Sequence, residues 1–502
     1  MNLQLNTKIA FVEPRGNVNV FNQFMSIPML GPIYLATIAE NAGYQVTVIN
    51  ENILGRNVNS RELVDVDILC ISSMTSTITR GKEIAKEYKE LRKSYGLGAR
   101  TLVGGIHASM IPGDVAPHFD QVFVGEAEND ILDLLSGKLK GKIVYGKKLN
   151  DLNKLPFPNF KLIQNWETIK IWPILTSRGC PFDCNFCSVT EMFGRGYRVR
   201  DVENVIEELS RYKDKTIFFV DDHFVLDKKR TEKLIERMRE INFKGKWSAQ
   251  LRTEASKDEN LVKKMKTSGC NTVYIGFESI NPVSLKEFKK KQKVEDIQRS
   301  IQVFEQNNIH VHGMFIFGAD TDSKDIFHLT SDFCRKSGIG SVQYMILTPL
   351  PGTEFYRKIE KENRLLHKKW EFYDAMHVVF KPAKMKPKEL QQGMVSAFRK
   401  FYSYREGIQQ FSNIILNILP LLIHKVKGKR KNPNFYQPIL KFIGHHILNK
   451  WVKANSKYFS YLQNVSRDVY SSPVRNRTSK IIRIRRKPRI GVDESSKTDY
   501  QL

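Results

Sequence analysis

Residues 176–187 read Thr-Ser-Arg-Gly-Cys-Pro-Phe-Asp-Cys-Asn-Phe-Cys, so that Cys180, Cys184 and Cys187 fall within eight residues. They follow an apolar segment that predicts a β-strand. Thiolates spaced three and two residues apart in a loop can converge on three irons of a cubane cluster, whereas a zinc site or an ordinary ferredoxin cluster needs a fourth protein ligand. We therefore predict a catalytic [4Fe–4S] cluster on these cysteines, with one iron left open for a substrate or cofactor.

The other cysteines and the composition indicate a globular intracellular protein. Cys70, Cys270 and Cys334 stand singly in apolar surroundings, as core residues do, and do not form a disulfide framework. A chain of 502 residues exceeds what one hydrophobic core usually supports. The first 13 residues lack the features of a signal peptide, and the apolar stretch 411–423 is too short to span a bilayer.

Around the cysteines, six short apolar runs alternate with helical patterns. The predicted strands cover residues 174–176, 216–220, 247–251, 272–277, 310–317 and 341–347. Six such repeats predict a partial (β/α)6 barrel of parallel strands over residues 160–370. Ligands of such barrels lie at the carboxyl ends of the strands, and the cysteines come just after the first strand.

A second α/β unit precedes the barrel. Its predicted strands cover residues 8–12, 45–49, 67–72, 101–103 and 121–124, with helices over 32–42 and 81–94. This alternation predicts a doubly wound, Rossmann-like domain over residues 1–150. A polar stretch with Pro156 and Pro158 marks its boundary with the barrel.

The C-terminal part is helical and basic. We predict a helical region over residues 371–475, including an amphipathic helix over 384–406, and a basic tail without stable structure over 476–502. The net charge is +27, and residues 421–502 hold 19 Lys and Arg against 4 acids. Such an excess attracts the phosphates of anionic lipid or of nucleic acid.

The cysteine motif resembles the signature of a known family. C-x-x-x-C-x-aromatic-C after the first barrel strand resembles the radical S-adenosylmethionine superfamily, and Phe186 fills the aromatic position. The resemblance implies that the open iron binds the amino and carboxylate groups of S-adenosylmethionine. An electron from the cluster then cleaves that cofactor to a 5′-deoxyadenosyl radical. The alternatives are a structural metal site and chance spacing.

Further segments resemble the same family at the expected strand ends. Asp221 and Asp222, in Phe-Phe-Val-Asp-Asp, resemble the acidic motif that accepts hydrogen bonds from the methionyl amine. Arg252 resembles a residue that reaches the methionyl carboxylate, a task that suits a guanidinium. Glu278, in Tyr-Ile-Gly-Phe-Glu-Ser, resembles the glutamate that binds the cofactor ribose. A helix cap for the aspartates and a surface charge for Arg252 remain alternatives.

The last two barrel strands agree with the family as well. Residues 312–318, His-Gly-Met-Phe-Ile-Phe-Gly, and 347–353, Leu-Thr-Pro-Leu-Pro-Gly-Thr, resemble its fifth and sixth strands, where backbone atoms contact the adenine. The order and spacing of these segments strengthen the resemblance.

The first domain resembles the cobalamin-binding domain that precedes many such barrels. The matching stretches are residues 29–36, 71–76, 103–107 and 124–128. Gly104 and Gly105 after an apolar strand let backbone approach a large flat ligand. The D-x-H-x-x-G motif that supplies a cobalt-ligating histidine elsewhere is absent. The resemblance therefore implies cobalamin without a protein histidine on cobalt, and His107 is a candidate for contact with the corrin, with cobalt ligation as the alternative.

Over residues 5–400 the chain resembles the cobalamin-dependent radical enzymes, which include hopanoid methylases and other methylases of unactivated carbon. The resemblance implies that methylcobalamin donates the methyl group and that the deoxyadenosyl radical removes a hydrogen atom from the substrate. Two S-adenosylmethionine molecules are used per methylation. The tRNA methylthiotransferases carry three cysteines in the first domain and are disfavoured, because this one has only Cys70.

Three functional hypotheses follow. The first is methylation of an unactivated carbon of a hydrophobic or lipid substrate. The second is radical cyclisation, coupling or oxidation on the same architecture without methyl transfer. The third is a nucleic-acid-binding protein with a structural cluster, which would leave Glu278 and the Asp221–Asp222 pair without an explanation.

The expected partners are a small hydrophobic substrate and a reductant such as flavodoxin or ferredoxin, and nucleic acid is not expected. The apolar segment 411–423 precedes a run of lysine and arginine, which suits an interfacial membrane anchor. A packing helix with a solvated tail is the alternative. We expect a cytoplasmic protein with peripheral contact at the inner face of the membrane.

Overall fold

The computed structural model describes residues 6–16, 27–409, 412 and 436–471. The predicted basic tail 476–502 lies outside the described residues, as does the predicted interfacial segment 411–423 apart from residue 412.

The first sheet has six parallel strands. They are β1 (Lys8–Glu13), β2 (Gln45–Asn50), β3 (Ile68–Ser72), β4 (Arg100–Gly104), β5 (Gln121–Val124) and β6 (Ile143–Tyr145). Their order across the sheet is β2-β1-β3-β4-β5-β6. The order reverses between β1 and β3, and open sheets of this kind bind ligands beyond the carboxyl ends of the strands at that point.

Helices cover both faces of this sheet. They are α1 (Leu30–Asn41), α2 (Glu51–Leu54), α3 (Ile78–Ser94), α4 (Ile106–Met110), α5 (Pro112–Val115) and α6 (Ile131–Leu135). Successive side chains of a strand point to opposite faces. Phe11 accordingly joins the core that contains Ile33 of α1, whereas Val12 joins the core that contains Ile84 of α3.

The second sheet also has six parallel strands, in the order in which they occur along the chain. They are β7 (Ile171–Ile174), β10 (Thr216–Phe219), β11 (Trp247–Leu251), β12 (Cys270–Glu278), β13 (His310–Phe317) and β14 (Ser341–Ile346). A short antiparallel pair, β8 (Ser177–Arg178) and β9 (Arg198–Val199), flanks the cysteine loop. The predicted α/β architecture is confirmed, with the second sheet as an open, sequentially ordered array.

Helices alternate with the strands of the second sheet and continue into the C-terminal region. They are α7 (Val189–Phe193), α8 (Val202–Ser210), α9 (Lys228–Glu240), α10 (Glu259–Thr267), α11 (Pro282–Glu287), α12 (Val294–Gln306), α13 (Ile326–Lys336), α14 (Glu354–Lys361), α15 (Pro387–Phe401), α16 (Tyr436–Ala454) and α17 (Ser456–Ser471). The Tyr402 hydroxyl, just after α15, donates to the Val342 carbonyl at 2.7 Å and so attaches the helical region to β14. No helix of the described residues is long and apolar enough to cross a membrane.

Several strand assignments differ from the sequence prediction, and two of them have a clear physical reason. The short β6 was not predicted, because three residues are too few to give a periodic signal. The first barrel strand covers Ile171–Ile174, whereas the prediction covered residues 174–176. The amide groups of Thr176 and Ser177 each donate to the Asp221 carboxylate at 2.7 Å, so a side chain takes the place of the strand ladder there.

Candidate active site

A cavity of about 290 Å³ connects the carboxyl ends of the two sheets. Its inner part lies between the first sheet and helices α1 and α6, with apolar walls. Its outer part reaches Leu175, Ser177 and Arg178, just before the cysteine loop, and Asp222 after β10. One continuous space therefore extends from the predicted cobalamin site to the residues just before the cysteine loop, and none of the three cysteines lines it.

Glycines shape the wall that the first sheet contributes. A Cβ atom added to Gly31 would meet no atom within 4 Å, and one added to Gly104 would meet only the Phe123 carbonyl at 3.9 Å. Gly105 has φ +95, and a Cβ there would lie 2.6 Å from the Ser73 carbonyl oxygen. The missing side chains of Gly31 and Gly104 leave room for a large flat ligand against bare backbone, which fits cobalamin, whereas Gly105 allows close packing against the Ser73 backbone.

Two buried polar atoms in this cavity have no hydrogen-bond partner among the residues that the structure describes. They are the Tyr34 hydroxyl and Glu128 Oε2. Tyr34 is 1% exposed, and burial raises its pKa, so it is a neutral hydroxyl that can donate. A buried polar group without a partner is costly. One donor and one acceptor match the primary amides that cobalamin carries.

His107 lies apart from the cavity. It is fully buried, its Nε2 lies 3.1 Å from Asp114 Oδ2, and its ring packs edge-on to Trp370 with centroids 5.1 Å apart. Desolvation lowers the pKa of His107. Helix α4 begins at Ile106 and turns the imidazole into the core, so the structure separates His107 from the glycines that precede it.

A buried ionic network joins the two sheets beside the cavity. Arg178 donates to Glu126 and to Glu128, each at 2.9 Å, and Arg198 binds Glu126 at 2.5 Å. Burial alone would raise the pKa of Glu126, but the hydrogen bond from Arg198 and the charge of Arg178 lower it. The network attaches the start of the cysteine loop to the end of β5.

Side chains from two neighbouring elements hold the first residues of the cysteine loop, Thr176 and Ser177, in place. Asp221 accepts from the Thr176 and Ser177 amides and from the Thr176 hydroxyl, at 2.6–2.7 Å. Arg230 of α9 donates to the Thr176 hydroxyl at 3.1 Å and to its carbonyl at 3.0 Å. These contacts occupy both carboxylate oxygens of Asp221, whereas Asp222 lines the cavity.

The three cysteines are half-buried and unpaired. Burial raises the pKa of Cys187 to about 12, so this residue is a thiol until a metal displaces the proton. Within the described part of the chain, no three His, Cys, Asp or Glu side chains converge on a point where a single metal ion would sit. A cubane cluster does not require its ligands to converge on one point, because each thiolate binds a separate iron.

Asp222 and Arg252 flank the cysteine loop. Asp222 Oδ2 accepts from the Gly179 amide at 3.3 Å, and burial together with the adjacent Asp221 raises the pKa of Asp222 to about 6. The Arg252 guanidinium lies 3.9 Å from the ring centroid of Phe182. It also pairs with Glu254 at 3.2 Å. Opposite charges thus stand on either side of the loop.

Glu278 ends strand β12 in a strained conformation. Its φ is +60, which is uncommon for a residue with a side chain. Its carboxylate forms an ion pair with Lys290 at 2.7 Å, and both side chains are nearly buried. A Cβ at Gly276 would lie 2.5 Å from Glu278 Oε1 and 3.0 Å from Lys290 Nζ, so the glycine makes space for the pair.

Two family models match separate parts of the chain. A model of the Radical SAM superfamily matches residues 174–333, and a model of the B12 binding domain matches residues 18–135. The chain belongs to the cobalamin-binding radical S-adenosylmethionine enzymes. The cofactors of this radical enzyme are a [4Fe–4S] cluster, S-adenosylmethionine and cobalamin, which confirms the sequence prediction.

Curated relatives cover most of the chain. It is 26% identical to a bacteriochlorophyllide d C-12(1)-methyltransferase of Chlorobaculum tepidum, over 79% of this chain and 87% of that protein. It is also 26% identical to the hopanoid C-2 methylase of Rhodopseudomonas palustris, over 64% of this chain and 63% of that protein.

Solved structures share the architecture. OxsB with aqua-cobalamin and S-adenosylmethionine bound matches at a TM-score of 0.64 and 15% identity, over 93% of this chain and 81% of that one. TsrM from Kitasatospora setae matches at 0.60 and 15%, over 92% and 99%. At such identity the likeness establishes the fold.

Sequence reasoning did not assign a site role to Tyr34, Glu126, Glu128 or Arg178. Glu126 and Glu128 follow the carboxyl end of β5, the position where ligand-binding residues of such sheets occur. That position was a usable signal for both acids. Tyr34 lies within a helix, where its hydroxyl gives no local sign of facing a cavity.

Proposed function

We propose that this radical enzyme transfers a methyl group to an unactivated carbon of a hydrophobic substrate, with Cys180, Cys184 and Cys187 as the cluster ligands. The observation that supports it is the cavity that runs from Gly104 on the first sheet to Asp222 beside the cysteine loop. A methyl carrier and a radical source held at its two ends would face the same substrate.

When bound, the cofactors supply reductive cleavage of S-adenosylmethionine and carriage of the methyl group. The protein's part is to position them. Asp222 would accept from the methionyl amine and Arg252 would pair with the carboxylate, since opposite charges flank the cysteine loop. Glu278, with its position fixed by Lys290, would bind the ribose hydroxyls.

On the cobalamin side, Gly104 and Gly105 would contact the corrin through backbone. None of the described residues that line the cavity is a histidine. This supports cobalamin held without a protein histidine on cobalt, which when bound would supply the methyl group. His107 would act in the core, through Asp114 and Trp370.

The substrate class rests on the relatives. Those named for bacteriochlorophyllide and hopanoid methylation cover 79% and 64% of this chain, and a hydrophobic substrate fits the hopanoid methylase. A lipid or other hydrophobic substrate would favour a cytoplasmic enzyme in peripheral contact with the membrane. The basic residues after 421 are the region to supply that contact.

The test is anaerobic reconstitution with iron, sulfide and cobalamin, followed by reduction in the presence of S-adenosylmethionine. We expect 5′-deoxyadenosine, S-adenosylhomocysteine and methylated cobalamin. With candidate hydrophobic substrates, the product should gain the mass of one methyl group. Loss of all three signals in protein with a full cluster would reject the proposal.

A second function has support from other relatives. The chain is 24% identical to an anaerobic magnesium-protoporphyrin IX monomethyl ester cyclase of Cereibacter sphaeroides, over 79% of this chain. Radical cyclisation or oxidation predicts 5′-deoxyadenosine without S-adenosylhomocysteine and without methylated cobalamin. The same reconstitution therefore distinguishes the two functions.

A further inference from the structure

A basic groove lies on the surface between α11 and α12. The lysines that line it are Lys257, Lys286, Lys289, Lys290, Lys291 and Lys293, and the acids are Asp183, Glu295 and Asp296. Lys286 and Lys291 are exposed, and neither forms an ion pair with another described residue. Their charges are directed to solvent and are available to a partner.

The groove is continuous with the cysteine loop. Asp183, between Cys180 and Cys184, lines it with a side chain that is 40% exposed. The next residue but one, Asn185, donates from its side chain to the Glu287 carbonyl at 2.8 Å, at the end of α11. A macromolecule bound at this groove would therefore lie directly beside the predicted cluster ligands.

A second contact strengthens this connection. The rings of Phe186 and Phe288 pack edge to face with centroids 5.3 Å apart. Phe186 immediately precedes Cys187, and Phe288 lies between Lys286 and Lys289. The lysine segment and the cysteine loop thus pack against each other, so a partner held by the lysines would lie near the cluster site.

We propose that this lysine groove is the docking surface of a small acidic electron-carrier protein with a flavin or iron–sulfur centre. The inference rests on the proposed function, because reductive cleavage of S-adenosylmethionine consumes one electron from outside. In each encounter the carrier is oxidised by one electron and the enzyme's cluster is reduced by one electron. No bond is made or broken at this step.

Charge complementarity selects this occupant. A surface with unpaired lysines attracts an acidic partner, accelerates encounter and orients it, and these effects weaken as salt rises. Lys290 does not take part, because it is buried against Glu278. The docking lysines are thus separate from the residues that would bind S-adenosylmethionine, and they can be changed independently.

The experiment compares two reductants on reconstituted enzyme. The double variant Lys286→Glu/Lys291→Glu reverses the groove charge, and Lys213→Glu/Lys244→Glu is the matched control. Lys213 and Lys244 are also exposed, but they precede β10 and β11 at the opposite ends of the strands. Each protein is reduced with dithionite or with a purified flavodoxin and its reductase. Binding of flavodoxin to the immobilised enzyme is measured separately at low and high salt.

The groove variant should bind flavodoxin at least about tenfold more weakly at low salt and lose the salt dependence. Its flavodoxin-driven formation of 5′-deoxyadenosine should fall by a similar factor, while the dithionite-driven rate stays at the wild-type level. The control variant should match the wild type in every assay.

Unchanged flavodoxin binding in the groove variant, or an equal loss in the control variant, would overturn the docking proposal. Failure of dithionite to drive any variant or the wild type would instead reject the proposed function. If inorganic phosphate or anionic vesicles compete equally well with flavodoxin, the groove is a general anion site and the proposal is also wrong.

Discussion

The two sheets present opposite chemistry at their carboxyl ends. In the first sheet, strand β4 ends in glycines, and Gly104 leaves space that a side chain would fill. The second sheet ends in charges, among them Asp222 and the strained, ion-paired Glu278. The same α/β geometry could thus suit a large flat ligand by omitting side chains, and a small charged ligand by adding them.

The energetic costs differ accordingly. At the first edge the cost is empty space and unpartnered polar atoms, such as the Tyr34 hydroxyl, which a ligand can relieve. At the second edge it is a left-handed backbone at Glu278, of about 1–2 kcal/mol, and a buried charge that needs Lys290. Substitutions that fill the open space at the first edge, or remove a charge at the second, test this difference between the two sheets.

The largest expected effect is at the cysteine loop. Cys184→Ala should lose the cluster and all 5′-deoxyadenosine, because two thiolates cannot hold the three irons. Cobalamin binding should persist, since the cavity wall is made elsewhere. Iron and sulfide content and the cobalamin absorption spectrum measure the two outcomes. Cys270→Ala, at a buried cysteine of β12, is the control, and loss of cobalamin in Cys184→Ala would show that the two edges are not independent.

Gly104→Leu should have the opposite effect to Cys184→Ala, with weaker cobalamin binding and an intact cluster. Its Cβ meets only the Phe123 carbonyl at 3.9 Å, so folding tolerates the change while the side chain occupies the cavity. We expect cobalamin affinity to fall by about a hundredfold or more, roughly 3 kcal/mol, with the iron content unchanged. Gly113→Leu, also in open space but outside the cavity, should bind cobalamin normally. Equal binding by both variants would refute the glycine-wall assignment.

Removal of one member of the Glu278–Lys290 pair should destabilise the protein. Lys290→Met leaves a buried carboxylate without its cation, at a cost of about 3–5 kcal/mol. Adding Glu278→Gln should recover most of the stability without recovering affinity for S-adenosylmethionine. Thermal denaturation and equilibrium binding of the cofactor separate these effects. Affinity that returned with stability would exclude Glu278 as a ribose ligand.

A smaller effect concerns Glu13, an acid of the first edge that forms no ion pair within the described part of the chain. Burial raises the pKa of Glu13 from 4.5 to about 7, although Met29 and Asn50 donate to its carboxylate. The folded state therefore binds more protons between these pH values, and stability declines as pH rises through them. Glu13→Gln should be more stable than the wild type above pH 7 by up to about 3 kcal/mol.

The difference between Glu13→Gln and the wild type should vanish below pH 4.5, where Glu13 is protonated in both states. Denaturant unfolding across this range measures it, with the exposed Glu90→Gln as a control. A constant difference at all pH values would mean that packing, and not titration, is responsible.

The smallest effect is expected for the unpartnered hydroxyl. Tyr34→Phe should weaken cobalamin binding by about 1 kcal/mol, or several-fold, because it removes one donor from an otherwise intact wall. The apo protein should be as stable as the wild type or more stable, since a buried group without a partner is lost. Tighter binding of cobalamin would show that the hydroxyl is not a ligand for it.

Much of this architecture could be predicted from sequence because the strands are buried and periodic. The strands 121–124, 247–251 and 310–317 have the predicted bounds, and at least half of the residues of each are buried. The predicted end of the first barrel strand was wrong because the amides of Thr176 and Ser177 donate to Asp221, which is 45 residues from Thr176 in the chain. A hydrogen bond between residues so far apart in the chain has no local sequence signal.

The site was predictable only where the relevant residues are close in sequence. The cysteines form one loop, and a motif describes them. His107 followed Gly104 and Gly105 in sequence and was assigned to the same ligand, but its partners Asp114 and Trp370 place it in the core. Trp370 also donates to Asp114, 256 residues away in the chain. Contacts at such separations become visible only in the folded structure.

The anchoring of the first residues of the cysteine loop has a consequence for protein engineering. A twelve-residue cysteine motif transplanted into another barrel would lack Asp221 and Arg230, which come from β10's end and from α9 and hold Thr176 in place. Without them the amides of the loop's first residues would rejoin a strand ladder or turn to water. The portable unit is therefore the loop together with the next strand and helix, and a graft that omits these elements would bring the thiols without their geometry.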